Sequence, residues 1–176
     1  RTNPDTYAPA KKLATQSKFS SAPIIVVALG PKTINSSLGI ALRDKVATLL
    51  AATPQARVVA MTILRDQDVP IAPAAEAITS NRHIARLVAL KHWAKPLGLR
   101  DQAISYHVPE AINPAEAILD YARANHVDHI IMGARAESAL RTILGSVTAH
   151  VAAHAPCTVT VVRRREWPSD LDAISG

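Results

Sequence analysis

The sequence predicts an α/β protein built on one doubly wound sheet of five parallel strands. Short apolar runs rich in Val and Ile alternate along the chain with amphipathic stretches of helical length. The runs are apolar at nearly every position, as in strands buried on both faces, and alternation with helices is typical of βαβ units. Of the 176 residues, 48% are apolar and 19% are charged, which excludes wholesale disorder.

The predicted elements follow one another in regular order. The strands are predicted at residues 24–29, 56–64, 102–108, 129–132 and 157–162, and the helices at residues 37–52, 74–94, 113–124 and 146–154. The third helix has the clearest start: Asn113 is a typical N-cap, Pro114 suits the first turn and Glu116 completes a capping box. Trp93 in the second helix is predicted to be a packing anchor.

The ends of the chain differ from its body. Residues 1–21 are rich in Pro, Ser, Thr and Lys and predict a flexible basic arm or linker, residues 22–163 form the predicted domain, and residues 164–176 form a C-terminal tail. Because the chain begins at Arg1 rather than Met, we expect it to be a piece of a longer protein. No apolar run reaches membrane-span length, and the single cysteine, Cys157, predicts a small core residue in a reducing cytoplasm.

The net charge of +6 is not concentrated on one surface of the predicted domain. Four basic residues against one acid give +3 on residues 1–21, and thirteen against ten give +3 on residues 22–162. Single-stranded nucleic acids are bound by stacking on aromatic rings, and the body offers only Trp93, Tyr106 and Tyr121. The composition therefore argues against nucleic-acid binding.

The chemistry is expected at the carboxyl ends of the strands, after Leu29, Leu64 and Met132, because open parallel sheets bind ligands there. The segment from Gly133 to Thr148 is the most informative. A glycine before a helix lets an anion approach free amides at the helix N-terminus, where the helix dipole favours negative charge.

In that segment Ser146 and Thr148 are candidate hydroxyl donors, and Arg135 and Arg141 are candidate counter-charges for phosphate. The alternative is that both glycines serve turns and that Ser146 is an N-cap. No catalytic triad, P-loop or dinucleotide fingerprint occurs, and the histidine pairs, His150 with His154 and His126 with His129, are expected to be packed or solvated rather than metal ligands.

The pattern Gly133-x₂-Ala136-x₈-Gly145-Ser146-Val147-Thr148, followed by Ala155-Pro-Cys-Thr-Val-Thr-Val-Val162, resembles the C-terminal signature of universal stress protein domains. Asn113-Pro-Ala-Glu-Ala-Ile118 and Asp128-His-Ile-Ile-Met-Gly133 resemble the helix and strand that precede the signature. The resemblance covers residues 23–163. The segment 83–99 is most similar to such domains fused C-terminally to bacterial serine/threonine kinases.

The resemblance implies the strand order 3-2-1-4-5 of the family, an adenine nucleotide alpha hydrolase-like fold. It also implies a nucleotide of the ATP or ADP type across the ends of strands one, two and four, with Mg²⁺ as an optional companion. The predicted binding residues are Ala28, Leu29, Gly30, Ile63, Met132, Gly133, Arg135, Ala136, Gly145, Ser146, Val147 and Thr148. Ile63 would face the base, and the last four would hold the phosphates.

Two departures from the family pattern keep a second interpretation open. Nucleotide-binding members carry Asp after the first strand and Gly at the second signature position, where this chain has Gly30 and Ala136. The first interpretation is a non-catalytic nucleotide sensor. The alternative is a dimerisation or regulatory module with a degenerate nucleotide site, because family members pair through the last strand, here residues 158–162. Neither predicts an enzyme in this chain, although a longer parent protein would be a kinase.

Overall fold

The computed structural model describes residues 22–65, 75–134, 136–138, 141–142 and 144–163, with the side chains of residues 75–79, 136–138 and 141–142 left out. The predicted arm, the Pro-rich segment at residues 69–73, Arg135 and the tail at residues 164–176 lie outside the described residues.

Seven strands and four α-helices follow one another in the described chain. The strands are β1 (Ile24–Ala28), β2 (Arg57–Met61), β3 (Ile104–His107), β4 (His129–Gly133), β5 (Ala136–Ser138), β6 (Arg141–Thr142) and β7 (Thr158–Val162). The helices are α1 (Ser37–Ala52), α2 (Ala75–Ala94), α3 (Pro114–Ala124) and α4 (Ser146–His154), and a short 3₁₀ helix (Lys95–Leu97) follows α2. None of the described helices combines the length and the apolar character needed to cross a bilayer.

Five strands form one parallel sheet in the order β3-β2-β1-β4-β7. This confirms the predicted order 3-2-1-4-5, since β7 is the fifth of the predicted strands. The order reverses between β1 and β4, where the connection after β1 and the connection after β4 leave on opposite sides. A crevice is expected at that place, beyond the carboxyl ends of the strands.

Alternate side chains of each central strand enter two separate cores. Val58, Ala60 and Leu64 pack towards α1 and α2, together with Trp93. Val59, Met61 and Ile63 pack towards α3 and α4, whose buried side chains include Ile118, Leu119 and Val151. Because both faces are covered, the strands are apolar throughout, which is the pattern on which the fold prediction rests.

The start of α3 is only partly as predicted. The side chain of Asn113 accepts from the amides of Ala115 and Glu116 at 3.1 and 3.4 Å, so the N-cap is confirmed. The capping box is wrong, because the Glu116 carboxylate instead lies 2.7 Å from His150 Nε2 on α4. The Glu116 side chain, predicted to cap its own helix, therefore links α3 to α4.

Two short strands lie in a segment where the sequence predicted neither a strand nor a helix. β5 and β6 pair antiparallel, with Ala136 opposite Thr142 and Ser138 opposite Arg141. Strands of three and two residues have too little apolar alternation to be read from sequence, because a hydrophobic period needs four or more positions. The hairpin lies between β4 and α4, within the segment that carries the signature.

His129 joins β4 to β7 and gives a pH-dependent prediction. Its Nε2 lies 2.7 Å from Thr160 Oγ1, and burial, with a smaller effect of Lys45, lowers its pKa below the ordinary 6.5. The folded state therefore favours neutral imidazole, so this contribution to stability is present above pH 6.5 and is lost as the pH falls through the folded pKa. We expect His129→Gln to lose less stability than wild type between pH 7.5 and 5.5 in denaturant titrations. His92→Gln, on the exposed surface of α2, is the control and should behave as wild type.

Candidate functional site

A cavity of about 510 Å³ opens at the carboxyl ends of β1, β2 and β4. Its size is within the ordinary range for small-molecule sites. Ten of the twelve residues predicted to bind a ligand line it: Ala28, Leu29, Gly30, Ile63, Met132, Gly133, Gly145, Ser146, Val147 and Thr148. These ten residues come from four separate segments of the chain, the ends of β1, β2 and β4 and the start of α4, which converge on one space.

The remaining predicted residues are not placed in the cavity. Arg135 lies outside the described residues. Ala136 and Arg141 are described in backbone only, in β5 and β6. The predicted counter-charges therefore remain predictions.

The amino end of α4 meets the cavity without a capping side chain. Gly145 occupies the N-cap position and Ser146 is the first helical residue, so the alternative in which Ser146 caps the helix is wrong. Among the described residues, no side chain accepts from the first amides of the helix. Uncapped amides and the positive end of the helix dipole therefore border the cavity, an arrangement that favours an anionic group.

Gly145 has no evident structural need to be glycine. Its φ is −57°, which any residue adopts, and a Cβ atom placed on it would meet no heavy atom of the described residues within 4 Å. A turn or a tight packing contact is the usual reason for glycine, and neither applies here. Because Gly145 has no side chain, the space beside the first amides of α4 is open.

Gly133 differs, because packing explains it. A Cβ there would lie 2.7 Å from a side-chain methyl of Leu38, so glycine lets α1 approach β4. The Gly133 carbonyl also accepts from the hydroxyl of buried Thr148 at 3.1 Å. That hydroxyl proton is already used within the protein, so Thr148 ties α4 to β4 rather than offering the free donor that the sequence predicted.

Five polar residues of the cavity were not predicted from the sequence. Lys32 and Thr33 follow β1, Thr62 and Arg65 follow β2, and Arg86 comes from α2. Among the described lining residues none is Asp, Glu, His or Cys. Thr62 and Arg65 could have been found, because they stand at the end of a predicted strand; Arg86 could not, because the orientation of α2 brings it there.

Outside the cavity, the histidines and the cysteine have ordinary partners. His150 stacks on His154 with ring centroids 4.3 Å apart, and His154 Nδ1 lies 2.9 Å from the carbonyl oxygen of His150. Cys157 is half-buried, and burial, helped by Asp128, raises the pKa of its thiol. In the described part of the chain no three potential ligands come together to hold a metal ion.

Comparison with known proteins decides the family. The model of the universal stress protein family matches residues 23–163, most of the chain. The chain belongs to the universal stress protein family. Comparison with curated protein sequences gave no match.

Solved universal stress proteins share the fold at low sequence identity. UspA from Lactobacillus plantarum superposes with a TM-score of 0.62 and 24% identity, over 82% of this chain and 99% of that one. A member from Arabidopsis thaliana, solved with AMP bound, gives 0.58 and 15% over 82% and 93% of the two chains. A member in complex with cAMP gives 0.55 and 22% over 83% and 100%.

Proposed function

We propose that this universal stress protein domain is a non-catalytic sensor or regulatory module that binds an adenine nucleotide of the ATP or ADP type. The observation that carries the proposal is Gly145, which neither backbone conformation nor packing explains and which leaves open space beside the uncapped amides of α4. Two fold relatives were solved with AMP and with cAMP, which supports a nucleotide as the ligand.

In this proposal the ligand lies across the ends of β2, β1 and β4. Ile63 faces the base, together with the apolar side chains of Met61 and Ile118 on the same face of the sheet. Ala28, Leu29 and Gly30 border the ribose from the end of β1, with Met132 and Gly133 opposite. The amides of Ser146, Val147 and Thr148 hold the phosphates, and Lys32 and Arg65 neutralise phosphate charge at the rim.

The residues around the cavity fit binding rather than turnover. Hydrolysis of a phosphoanhydride needs a positioned base for water and metal ligands near the phosphates. Since no carboxylate, imidazole or thiol is among the described lining residues, a Mg²⁺ ion that arrives with the nucleotide would be held by phosphate oxygens and water. We further propose a cytoplasmic location, because the single cysteine Cys157 cannot form an internal disulfide, and a bacterial kinase as the parent chain, from the resemblance of segment 83–99.

The test is whether the protein carries or accepts nucleotide. Purified protein is denatured, and the supernatant is analysed for released nucleotide by ion-pair chromatography. Thermal unfolding is then followed with ATP, ADP and AMP, each with and without Mg²⁺. Released adenine nucleotide, or a rise in unfolding temperature below millimolar ATP, is the expected result. If no nucleotide is released and millimolar ATP causes no shift, nucleotide binding is contradicted. The alternative of a module with a degenerate site then remains.

A second, compatible function is self-association through β7. This strand ends the five-stranded sheet, and four of its five residues are only half-buried in the described structure. An edge strand with exposed β-branched side chains is suited to pairing with another strand. We propose a homodimer in which β7 of one copy lies against β7 of the other.

The register of β7 provides a selective variant. The carbonyl of Val162 accepts from Ala134 within the sheet, so the backbone groups of Val161 point the opposite way, outwards. Val161→Pro removes an outward amide and should convert the dimer to a monomer by light scattering at tens of micromolar, with the sheet retained. Val161→Thr keeps the amide and should remain dimeric. A monomeric wild type, or a Val161→Pro dimer of unchanged mass, would contradict pairing through β7.

A further inference from the structure

The hydroxyl of Thr62 is buried and lacks a partner among the described residues. Thr62 is 1% exposed, lines the cavity, and its Oγ1 makes no hydrogen bond in the described structure. Such a group costs free energy unless something satisfies it, and native proteins tolerate few of them. A buried hydroxyl without a partner in the wall of a cavity indicates that a ligand atom forms the missing hydrogen bond.

Thr62 does not face the proposed nucleotide side of the cavity. Met61 and Ile63 on either side of it pack towards α3 and α4, so alternation along the strand turns Thr62 towards α1 and α2. Leu64, which shares its direction, packs in that other core. The cavity therefore reaches over the end of β2 onto the second face of the sheet.

Two arginines of α2 stand on this second face. Arg86 lines the cavity, and Arg82 precedes it by four residues, so both lie on one side of the helix. Arg82 Nη1 is buried and makes no hydrogen bond to a described residue. Like charges at this spacing repel each other, and the repulsion is removed when an anion lies between them.

We propose that Thr62, Arg82 and Arg86 form a second anion subsite, which takes a phosphate group on the α2 side of the cavity. Guanidinium groups donate two parallel hydrogen bonds to phosphate oxygens, and a hydroxyl donates one more. The subsite is distinct from the amino end of α4, because β1 separates β2 from β4 and their ends lie about 10 Å apart. The inference rests on the proposed function in one respect, namely that the ligand beside the subsite is an adenine nucleotide.

The phosphate has two potential sources, and both have the same chemistry at the subsite. It is either a free phosphate ion or a second phosphate group of the nucleotide, such as one on the ribose far from the 5′ position. Three probes separate them: inorganic phosphate, AMP, and adenosine 3′,5′-bisphosphate. Tighter binding of the bisphosphate than of AMP identifies a phosphate carried by the nucleotide. Equal binding of the two, with inorganic phosphate bound in addition, identifies the free ion.

The experiment compares wild type with Arg86→Gln and with Lys91→Gln. Lys91 is an exposed cation of the same helix that lies 5.8 Å from the ring centre of Tyr106, away from the cavity. Isothermal titration at constant ionic strength is expected to show binding of inorganic phosphate or of the bisphosphate to wild type. The affinity should fall about tenfold in Arg86→Gln and stay unchanged in Lys91→Gln.

Thr62→Val gives a second readout that does not depend on charge. The two side chains have nearly the same shape, and the hydroxyl that is lost has no described partner, so the unfolding temperature without ligand should be equal or higher. Phosphate affinity should nevertheless fall severalfold. A variant with lower stability and unchanged phosphate affinity would assign the hydroxyl a structural role and contradict the subsite.

The outcomes separate this inference from the proposed function. The subsite is overturned if Arg86→Gln binds phosphate as tightly as wild type does. It is also overturned if wild type does not bind inorganic phosphate and binds the bisphosphate no more tightly than AMP, even if AMP and ATP bind. Conversely, loss of phosphate binding in Arg86→Gln supports the subsite even in a protein that binds no nucleotide.

Discussion

Valine at position 145 is expected to abolish nucleotide binding while the domain stays folded. The added side chain would occupy the space beside the amides of Ser146 and Val147, through which a phosphate must approach. Loss of those charge-assisted hydrogen bonds should weaken ATP at least a hundredfold in titration calorimetry. The thermal shift with ATP should disappear in the same variant.

The stability of Gly145→Val is expected to remain close to that of wild type. No heavy atom of the described residues lies within 4 Å of the new Cβ, and the backbone dihedral angles suit any residue, so only the poorer N-cap costs free energy, about 1 kcal/mol at most. This combination of lost binding and retained fold is what a merely structural glycine would not give.

Ala149→Val is the matched control for Gly145→Val. It adds bulk one turn further along α4, at an exposed position that does not line the cavity. Its affinity for ATP should equal that of wild type. Gly145→Val with wild-type affinity would remove the main support for the proposed function, because the open space beside α4 would then have no role in binding.

Replacement of Trp93 by alanine is expected to cost about 3–5 kcal/mol of unfolding free energy. The indole is 3% exposed within the core beneath α1 and α2, and its Nε1 donates to the carbonyl of Gly39 at 2.7 Å. The backbone carbonyl of Trp93 accepts from Arg43 as well, at 3.3 Å. The prediction of a packing anchor is thus confirmed, and the anchor joins α2 to the first turn of α1.

The loss of stability in Trp93→Ala is expected to be large because the backbone packed around the indole cannot relax into the space left by alanine. A Cβ on Gly39 would overlap the carbonyl oxygens of Thr33 and Ile34, so the backbone at the start of α1 is already closely packed. A cavity left by alanine is therefore not expected to collapse. Small domains are stable by about 5–15 kcal/mol, so Trp93→Ala should be near the limit of folding.

Denaturant unfolding followed by far-ultraviolet circular dichroism measures this prediction. Trp93→Phe keeps most of the buried area and loses the hydrogen bond, so it should cost clearly less than alanine. Ile84→Ala removes a side chain of the same helix that is 54% exposed, and should change stability by under about 0.5 kcal/mol. A loss below about 1 kcal/mol for Trp93→Ala would contradict the anchor.

Much of the site could be predicted because the parallel fold assembles it from strand ends. Once β1, β2 and β4 are recognised, the residues that follow them must meet at one edge of the sheet, and Ala28, Ile63 and Met132 line the same cavity. The start of α4 could be predicted as well, from the glycine before a helical period, but whether Ser146 caps the helix could not. What each glycine does could not be predicted, since Gly133 accommodates Leu38 and Gly145 accommodates no side chain of the described residues.

The sequence by itself determined the class of fold through its apolar pattern, and the order of its strands through its resemblance to the universal stress protein family. Burial on two faces is a local property of each run, and a right-handed crossover leaves few ways to connect such runs. The tertiary structure alone decided that Glu116 contacts His150, and that Thr62 and Arg86 share the second face of the cavity. These pairings depend on how the helices are placed over the sheet. Side-chain packing between distant segments sets that placement, and the local hydrophobic period of the sequence does not contain it.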